Sequence, residues 1–425
     1  MAKTFLHSFQ LIEKTRPNTQ KGLRFSQIVL YIKIFAFLFI VLTIAAVLSL
    51  WWFSDLPLSS PINSLSSFRF LQEQPTFSNE KKVVYGYLPY WNLATFTLQP
   101  EVTHLGYFSL TIGSDGSLLQ QQTDGAEPGF SRFKSDAFLE IAAAAEKQNT
   151  TVELVLTQFD AGDITAFLTS ETAQKKLLDS LDSILIAQPV SGISIDIELN
   201  GTPSPALRKG MTQFMKNVRS HLDSRYEHLQ LSIALYASAS EDTGIWDISE
   251  LSSVVDYLIV MAYDFHRRGS TQAGPVAPLF GGKKLWDTDI NHHLQNFIKK
   301  VPSRKLLLGI PFYGYEWQTT SRDAQSHTFP DTGSTASVAR VQELLKKKKE
   351  LKVQEHWNSD ALSPYLSYIE DELTYVIYYE DSRSISYKLD FVNQLELGGV
   401  AIWALGYEGQ SRELWDVINS KIKTR

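Results

Sequence analysis

Residues 191–198 read Ser-Gly-Ile-Ser-Ile-Asp-Ile-Glu, with apolar and polar positions in strict alternation. Strand side chains alternate between faces, so Ile193, Ile195 and Ile197 share one face and Ser194, Asp196 and Glu198 the other. An apolar face backed by an acidic one suits a strand in a closed parallel barrel. There the isoleucines pack under helices and the acids point into the mouth at the strand's C-terminal end. Seven more apolar or alternating runs predict strands at Val83–Tyr90, His104–Thr111, Thr151–Thr157, Leu229–Ala237, Tyr257–Tyr263, Lys305–Phe312 and Gly398–Trp403, with Gly192–Leu199 as the fourth of eight. Helical periodicity lies between most of them, as at Ser135–Gln148, Thr172–Ile186, Leu207–His221 and Arg412–Ile422. Eight strands separated by crossovers make an α/β chain and predict a (β/α)8 TIM barrel over residues 82–425. The stretch from about Gly314 to Tyr375 is too long for a connecting loop and predicts a small insertion between strands seven and eight. Its Lys346–Lys349 run reads as a solvated helix face.

The pattern changes character at the N-terminus. Residues 34–53 (IFAFLFIVLTIAAVLSLWWF) carry no charge, and about 20 such residues span the hydrocarbon core as a helix. Basic residues precede the run, so the expected topology is a cytoplasmic basic segment 1–33, a single-pass signal-anchor at 34–53 and an extracytoplasmic body. A cleaved signal peptide is the alternative; the length of the run and the lack of an A-x-A-like site argue against it. The Ser/Pro-rich stretch 54–81 reads as a linker.

Charge supports this division. Residues 1–53 hold six basic residues against Glu13, a net +5; with the whole chain at -6, the remainder stands at -11. An acidic body is not a nucleic-acid binder's. Cysteine is absent, which removes disulfides, thiolate metal sites and a Cys nucleophile. The 9 Trp, 18 Tyr and 24 Phe exceed what core packing alone asks for and supply candidate sugar platforms. No Gly-rich phosphate loop is present, so no cofactor is expected. His292-His293 reads as part of a solvated helix with no accompanying metal-ligand set, and no metal is expected.

The candidate chemistry gathers at predicted strand ends: Tyr87 and Trp91 after the first, Asp196 and Glu198 on the fourth, Met261, Tyr263 and Asp264 after the sixth, Tyr313 after the seventh, Trp403 on the eighth. Two carboxyls on one face can divide labour, one orienting a reacting group while the other moves a proton. The S-G-I-S-I-D-I-E strand resembles the D-G-x-D-x-D-x-E signature of glycoside hydrolase family 18. Met261-Ala262-Tyr263-Asp264 resembles that family's strand-six motif, and Trp403 matches its pocket floor. The resemblance covers about Val83 to the C-terminus. Tyr379-Glu380-Asp381-Ser382-Arg383-Ser384-Ile385, followed by Lys388, is similar to the bacterial spore-cortex and cell-wall branch. Ser191 and Ser194 stand where the signature has its first two Asp. The first is mostly structural in the family; the second normally couples electrostatically to the third, so the resemblance implies that Asp196 ionises here without that like-charged neighbour.

The resemblance implies a glycosidase cutting β-1,4 bonds next to N-acetylglucosamine in a peptidoglycan or chitin-like polysaccharide, and the run at 34–53 makes it a membrane-anchored one. It implies substrate-assisted catalysis: Glu198 as general acid and then base, Asp196 orienting the substrate acetamide, Tyr263 bonding the acetamide oxygen. Trp403, Asp264, Met261, Ser194, Tyr87, Tyr313 and Trp91 are the expected substrate-binding residues. A non-catalytic carbohydrate-binding protein on the same barrel is the alternative, and an anchored structural protein of the envelope ranks behind both.

Overall fold

A computed structural model describes residues 81–123 and 125–422, together with Thr43. Its strands are β1 (Val83–Pro89), β2 (His104–Thr111), β3 (Gln121–Gln122), β4 (Gly125–Ala126), β5 (Thr151–Gln158), β6 (Gly192–Ile197), β7 (Gln230–Tyr236), β8 (Tyr257–Met261), β9 (Leu306–Pro311), β10 (Tyr313–Thr319), β11 (Ser334–Ser337), β12 (Gln354–Asn358), β13 (Ser363–Glu370), β14 (Leu373–Tyr378) and β15 (Gly399–Trp403). Eight of them close a parallel barrel in the order β1-β15-β9-β8-β7-β6-β5-β2, as predicted. Two predicted strands end two residues earlier than expected. β6 stops at Ile197 and β8 at Met261, so Glu198 and Tyr263 sit just past their strands, in the mouth. The Glu198 N–H still donates to Gln158 O of β5 at 3.1 Å, the last bond on that side, while the polar alternation in the sequence carries no mark of that end.

The alternation sorts the barrel as expected. Ile193, Ile195 and Ile197 join Leu207, Met211 and Phe214 of helix Pro205–Arg225 in the outer core. Inside the barrel Tyr85, Tyr87, Phe108, Val155, Ile259 and Leu307 form a separate apolar plug. The helices start where short polar side chains accept a backbone N–H. Ser135, Asp160, Ser170, Ser204, Asp289 and Asp381 each do so at an N-cap.

The insertion is a five-stranded antiparallel sheet, β11-β10-β14-β13-β12, with helix Val338–Lys346 beside it. Lys346–Lys349 are exposed, as expected, but the helix ends at Lys346 and the other three lie in the turn after it. Among the described residues no helix is long and apolar enough to cross a membrane; the span predicted at 34–53 lies, apart from Thr43, outside them.

The Tyr379–Lys388 motif is a structural joint between the insertion and the last strand. Asp381 and Ser384 cap helix Ser382–Gln394 reciprocally. Glu380 and Lys388 pair at 2.7 Å with both side chains fully buried. Burial pushes the Glu380 carboxyl up, and Lys388 opposes that shift. Lys388→Met strands a buried acid, so chemical denaturation is expected to show a loss of about 3–5 kcal/mol. The double replacement Glu380→Leu with Lys388→Met removes both charges and recovers most of it. Equal stability of the single and double variants would remove the pair from this role.

Candidate active site

The C-terminal ends of the barrel strands open into a cavity of about 410 Å³. Of the expected residues, Asp196, Glu198, Tyr263, Asp264, Met261, Tyr87, Tyr313 and Trp403 line it. Two do not. Ser194 faces into the barrel one layer below and is fully buried, so it cannot touch a ligand in the cavity. Trp91, on the 3-10 turn Tyr90–Thr95 after β1, is 49% exposed at the rim, its ring 6.2 Å from that of Phe108.

Asp196 is buried, and its Oδ1 has no hydrogen-bond partner. Burial first, and the neighbouring Glu198 second, raise its carboxyl well above the usual range. Glu198 is less enclosed. Burial and the charge of Asp264 push it up, while the neighbouring Tyr236 hydroxyl favours its ionised form. The two acids titrate as a pair, and the site holds protons on carboxyls at pH values where free ones have lost them.

Asp264 opens on the cavity and has a left-handed backbone (φ 61°), a conformation Asp tolerates better than most residues. The turn presents its carboxylate to the hydroxyls of Tyr313 and of Tyr315 (3.1 Å) on β10. Protein crowding raises its pKa; the tyrosine bonds and Arg267 work against that rise. The insertion therefore reaches the barrel through this acid. Gly309 on β9 is required by close approach: a Cβ there would come 3.0 Å from the Tyr263 ring and collide with the Val260 carbonyl. Trp403 packs edge-on against Phe108 at 4.6 Å and against Tyr87 at 5.7 Å, which fixes an apolar floor.

Tyr236, Tyr315, Tyr407, Phe108, Phe159, Ala234 and Thr335 also line the cavity and were not expected there. Tyr236 carried a usable signal, since it ends a strand predicted to point at the mouth. Phe159 is 51% exposed and gives the rim a second aromatic. Many other aromatics are core: Trp246, Trp317 and Trp415 are fully buried.

The expectation of a solvated His292-His293 pair is corrected. His293 is buried, with its ring nitrogens 2.9 Å from Ser240 Oγ and 3.0 Å from Thr288 Oγ1, and burial lowers its pKa to about 4. His292 bonds Glu241 at 2.7 Å. Ligand-type atoms of Glu241, His292 and His293 lie within 4.8 Å of one another, a grouping the sequence spacing did not show. Both His293 nitrogens are already engaged by hydroxyls.

Comparison with known proteins gives this arrangement a lineage. The model for "Glycosyl hydrolases family 18" matches residues 81–408. The chain is 28% identical over 242 residues to the Bacillus subtilis (strain 168) protein YdhD, provisionally described as a sporulation-specific glycosylase; the match covers 56% of this chain and 52% of YdhD, about half its length. It is 24% identical over 322 residues to a cortical fragment-lytic enzyme of Bacillus anthracis, covering 74% of this chain and 67% of that one. A Paenibacillus barengoltzii N-acetylglucosaminidase has the same fold, with a TM-score of 0.65 at 21% identity over 80% of this chain and 100% of that one.

Proposed function

The chain belongs to glycosyl hydrolase family 18 and is a glycoside hydrolase; from that premise we propose that it is of the chitinase and N-acetylglucosaminidase type and cleaves β-1,4 bonds next to N-acetylglucosamine by substrate-assisted retaining catalysis, with peptidoglycan ahead of chitin as the polymer. The observation that carries the reading is the pairing of Asp196 and Glu198, both held protonated upward of the normal range, over one aromatic-floored cavity. The preference for peptidoglycan rests on the names of the spore-associated relatives.

In this reading Glu198, at the strand end, gives its proton to the glycosidic oxygen. The acetamide oxygen of the sugar on the non-reducing side attacks the anomeric carbon and forms an oxazolinium. Asp196 takes the acetamide N–H and, ionised, stabilises the cation; Tyr263 donates to the acetamide oxygen. Glu198, now a carboxylate, takes a proton from water, which opens the intermediate with retention. Trp403 supports the distorted sugar, and Asp264, held by Tyr313 and Tyr315, bonds its hydroxyls. Digestion of purified peptidoglycan and of chitin oligomers, with the new ends identified by mass spectrometry, tests the reading. Binding of both polymers without cleavage of either would leave the carbohydrate-binding alternative.

The pH profile carries its own test. Glu198 acts as an acid, so turnover falls as pH rises through its pKa. The Tyr236 hydroxyl lowers that pKa. Tyr236→Phe therefore raises it, and the alkaline limb of kcat against pH is expected to move to higher pH. A limb that stays put or moves to lower pH would contradict the role of either residue.

We also propose that residues 34–53 anchor the enzyme with its barrel outside the cytoplasm. Deleting residues 1–53 is then expected to yield a soluble, folded protein, checked by membrane fractionation and circular dichroism. Persistent fractionation with membranes would overturn the anchor.

A further inference from the structure

A second carboxyl lies inside the barrel beneath the cavity. Glu153 sits on β5 in the sequence Thr151-Val152-Glu153-Leu154-Val155 and is completely buried. Val152, Leu154 and Leu156 belong to the outer core and Val155 to the inner plug, so Glu153 faces inward. It is paired across the ladder with Gly192, and room for it depends on that glycine: a Cβ there would come 3.0 Å from Glu153 Cγ. Oε2 accepts from Ser232 Oγ at 2.6 Å and from the Tyr85 hydroxyl at 3.2 Å.

Four buried polar atoms around this point have no hydrogen-bond partner: Glu153 Oε1, Ser194 Oγ, the Tyr87 hydroxyl and Asp196 Oδ1. Each is costly to bury unpaired, and their clustering at the foot of a site calls for a functional reason. They are also neighbours. Tyr85 lies beside both Glu153 and Ser194, and Tyr87 beside Ser194, Asp196 and Glu153, although the Ser194 contacts fall short of hydrogen-bond geometry. In the ladder Glu153 pairs with Gly192, four residues before Asp196, and the inward position between those two is Ser194, where the signature has an acid.

We propose that Glu153 is a positioning residue for the reaction, the carboxyl that serves Asp196 from an adjacent strand in place of the acid missing at Ser194. The inference rests on the glycosidase reading above. As the oxazolinium forms, Asp196 releases its proton. The Tyr87, Ser194 and Tyr85 hydroxyls, after small rotations, each accept one proton and release one, and the Glu153 carboxylate takes the last. One proton moves from Asp196 to Glu153, and it returns when water opens the intermediate. The titratable groups around Glu153 are Tyr85 and Tyr87 of β1, His104 of β2, and Asp256 and Tyr257 at the start of β8. Burial, with Asp256 adding to it, lifts Glu153 to about 7 against the pull of its two hydrogen bonds, which lets it exchange a proton near neutrality.

The test compares the parent with Glu153→Gln, Ser194→Ala and the double variant Glu153→Gln with Ser194→Asp. Glu153→Gln is expected to lower kcat by on the order of tenfold or more, to leave KM nearly unchanged and to displace the acid limb of the kcat profile. The double variant returns a carboxyl to the signature position and is expected to recover most of the loss. A Glu153→Gln profile that superimposes on the parent's, or a double variant no faster than Glu153→Gln, overturns the proposal. A second measurement covers a Glu153→Gln that does not fold. In Glu198→Gln protein labelled with carboxyl-13C aspartate, the Asp196 resonance is expected to show an inflection near pH 7 from Glu153 in addition to its own. A single inflection overturns the proposal. This titration needs no substrate, so it is read even where the parent cleaves no N-acetylglucosamine polymer, the result that would sink the functional reading instead.

Discussion

Glu198→Gln lowers turnover by roughly 10²–10⁴-fold while sugar binding and the fold persist. The replacement is nearly isosteric. Its amide oxygen keeps an acceptor beside the Tyr236 hydroxyl, and the apolar floor of Trp403, Phe108 and Tyr87 is untouched. What disappears is a proton that the parent holds because burial and the charge of Asp264 raise its pKa. The loss should therefore fall on kcat, with the affinity for an uncleaved oligomer kept. Turnover on an N-acetylglucosamine oligomer and calorimetric titration of the inactive variant measure the two separately. Turnover within a factor of two of the parent would take Glu198 out of the reaction.

The second large effect concerns the acetamide. If the substrate supplies the nucleophile, a polymer with a free amine at C2 of the reacting sugar is not cleaved, and a thiazoline mimic of the oxazolinium inhibits strongly. Asp196→Asn lowers turnover by a factor comparable to Glu198→Gln, because a neutral amide cannot stabilise the cation. Asp196 suits this task. It lines the cavity, it is buried, and its Oδ1 has no hydrogen-bond partner. Ser194→Ala costs much less, on the order of the tenfold expected of Glu153→Gln, since its side chain never reaches the cavity and acts only in the relay beneath Asp196. Mass spectrometry of the protein during turnover distinguishes the routes. Rapid cleavage of the de-acetylated polymer, or a covalent adduct trapped on Asp196, would indicate a conventional retaining glycosidase.

The lining of the cavity mixes residues whose roles are local with residues whose roles depend on distant chain. Asp196, Tyr87 and Trp403 lie on barrel strands and inherit their direction from strand alternation. Asp264 is held by Tyr313 and Tyr315, about 50 residues further on, at the first strand of the inserted sheet. The insertion is therefore part of the site's rigidity. The Glu316–Arg340 ion pair at 3.1 Å, with the Tyr368 hydroxyl on the same carboxylate, extends that support from β10 to the inserted helix and β13.

The barrel, the insertion and the acidic strand were legible in the chain because a period of two is a local property: whichever way the strand is placed, Ile193, Ile195 and Ile197 go together and Asp196 goes with Ser194. The order of strands followed from the crossovers between them. Tertiary structure decided what the period leaves open. It decided that β6 ends at Ile197 and frees Glu198, because a strand ends where its neighbour stops pairing. It decided that Trp403 floors the cavity while Trp91 stands at its rim, although both are tryptophans at strand ends. His293 went into the core and His292 did not, because one helix face met packed protein and its neighbour did not. Glu153 is the sharpest case. In the sequence it is a single acid in an apolar strand. Closure of the barrel alone turns it inward, over Gly192 and beneath Asp196, because the distance between two strands' side chains is set by how the sheet curls and is nowhere recorded in the spacing along the chain.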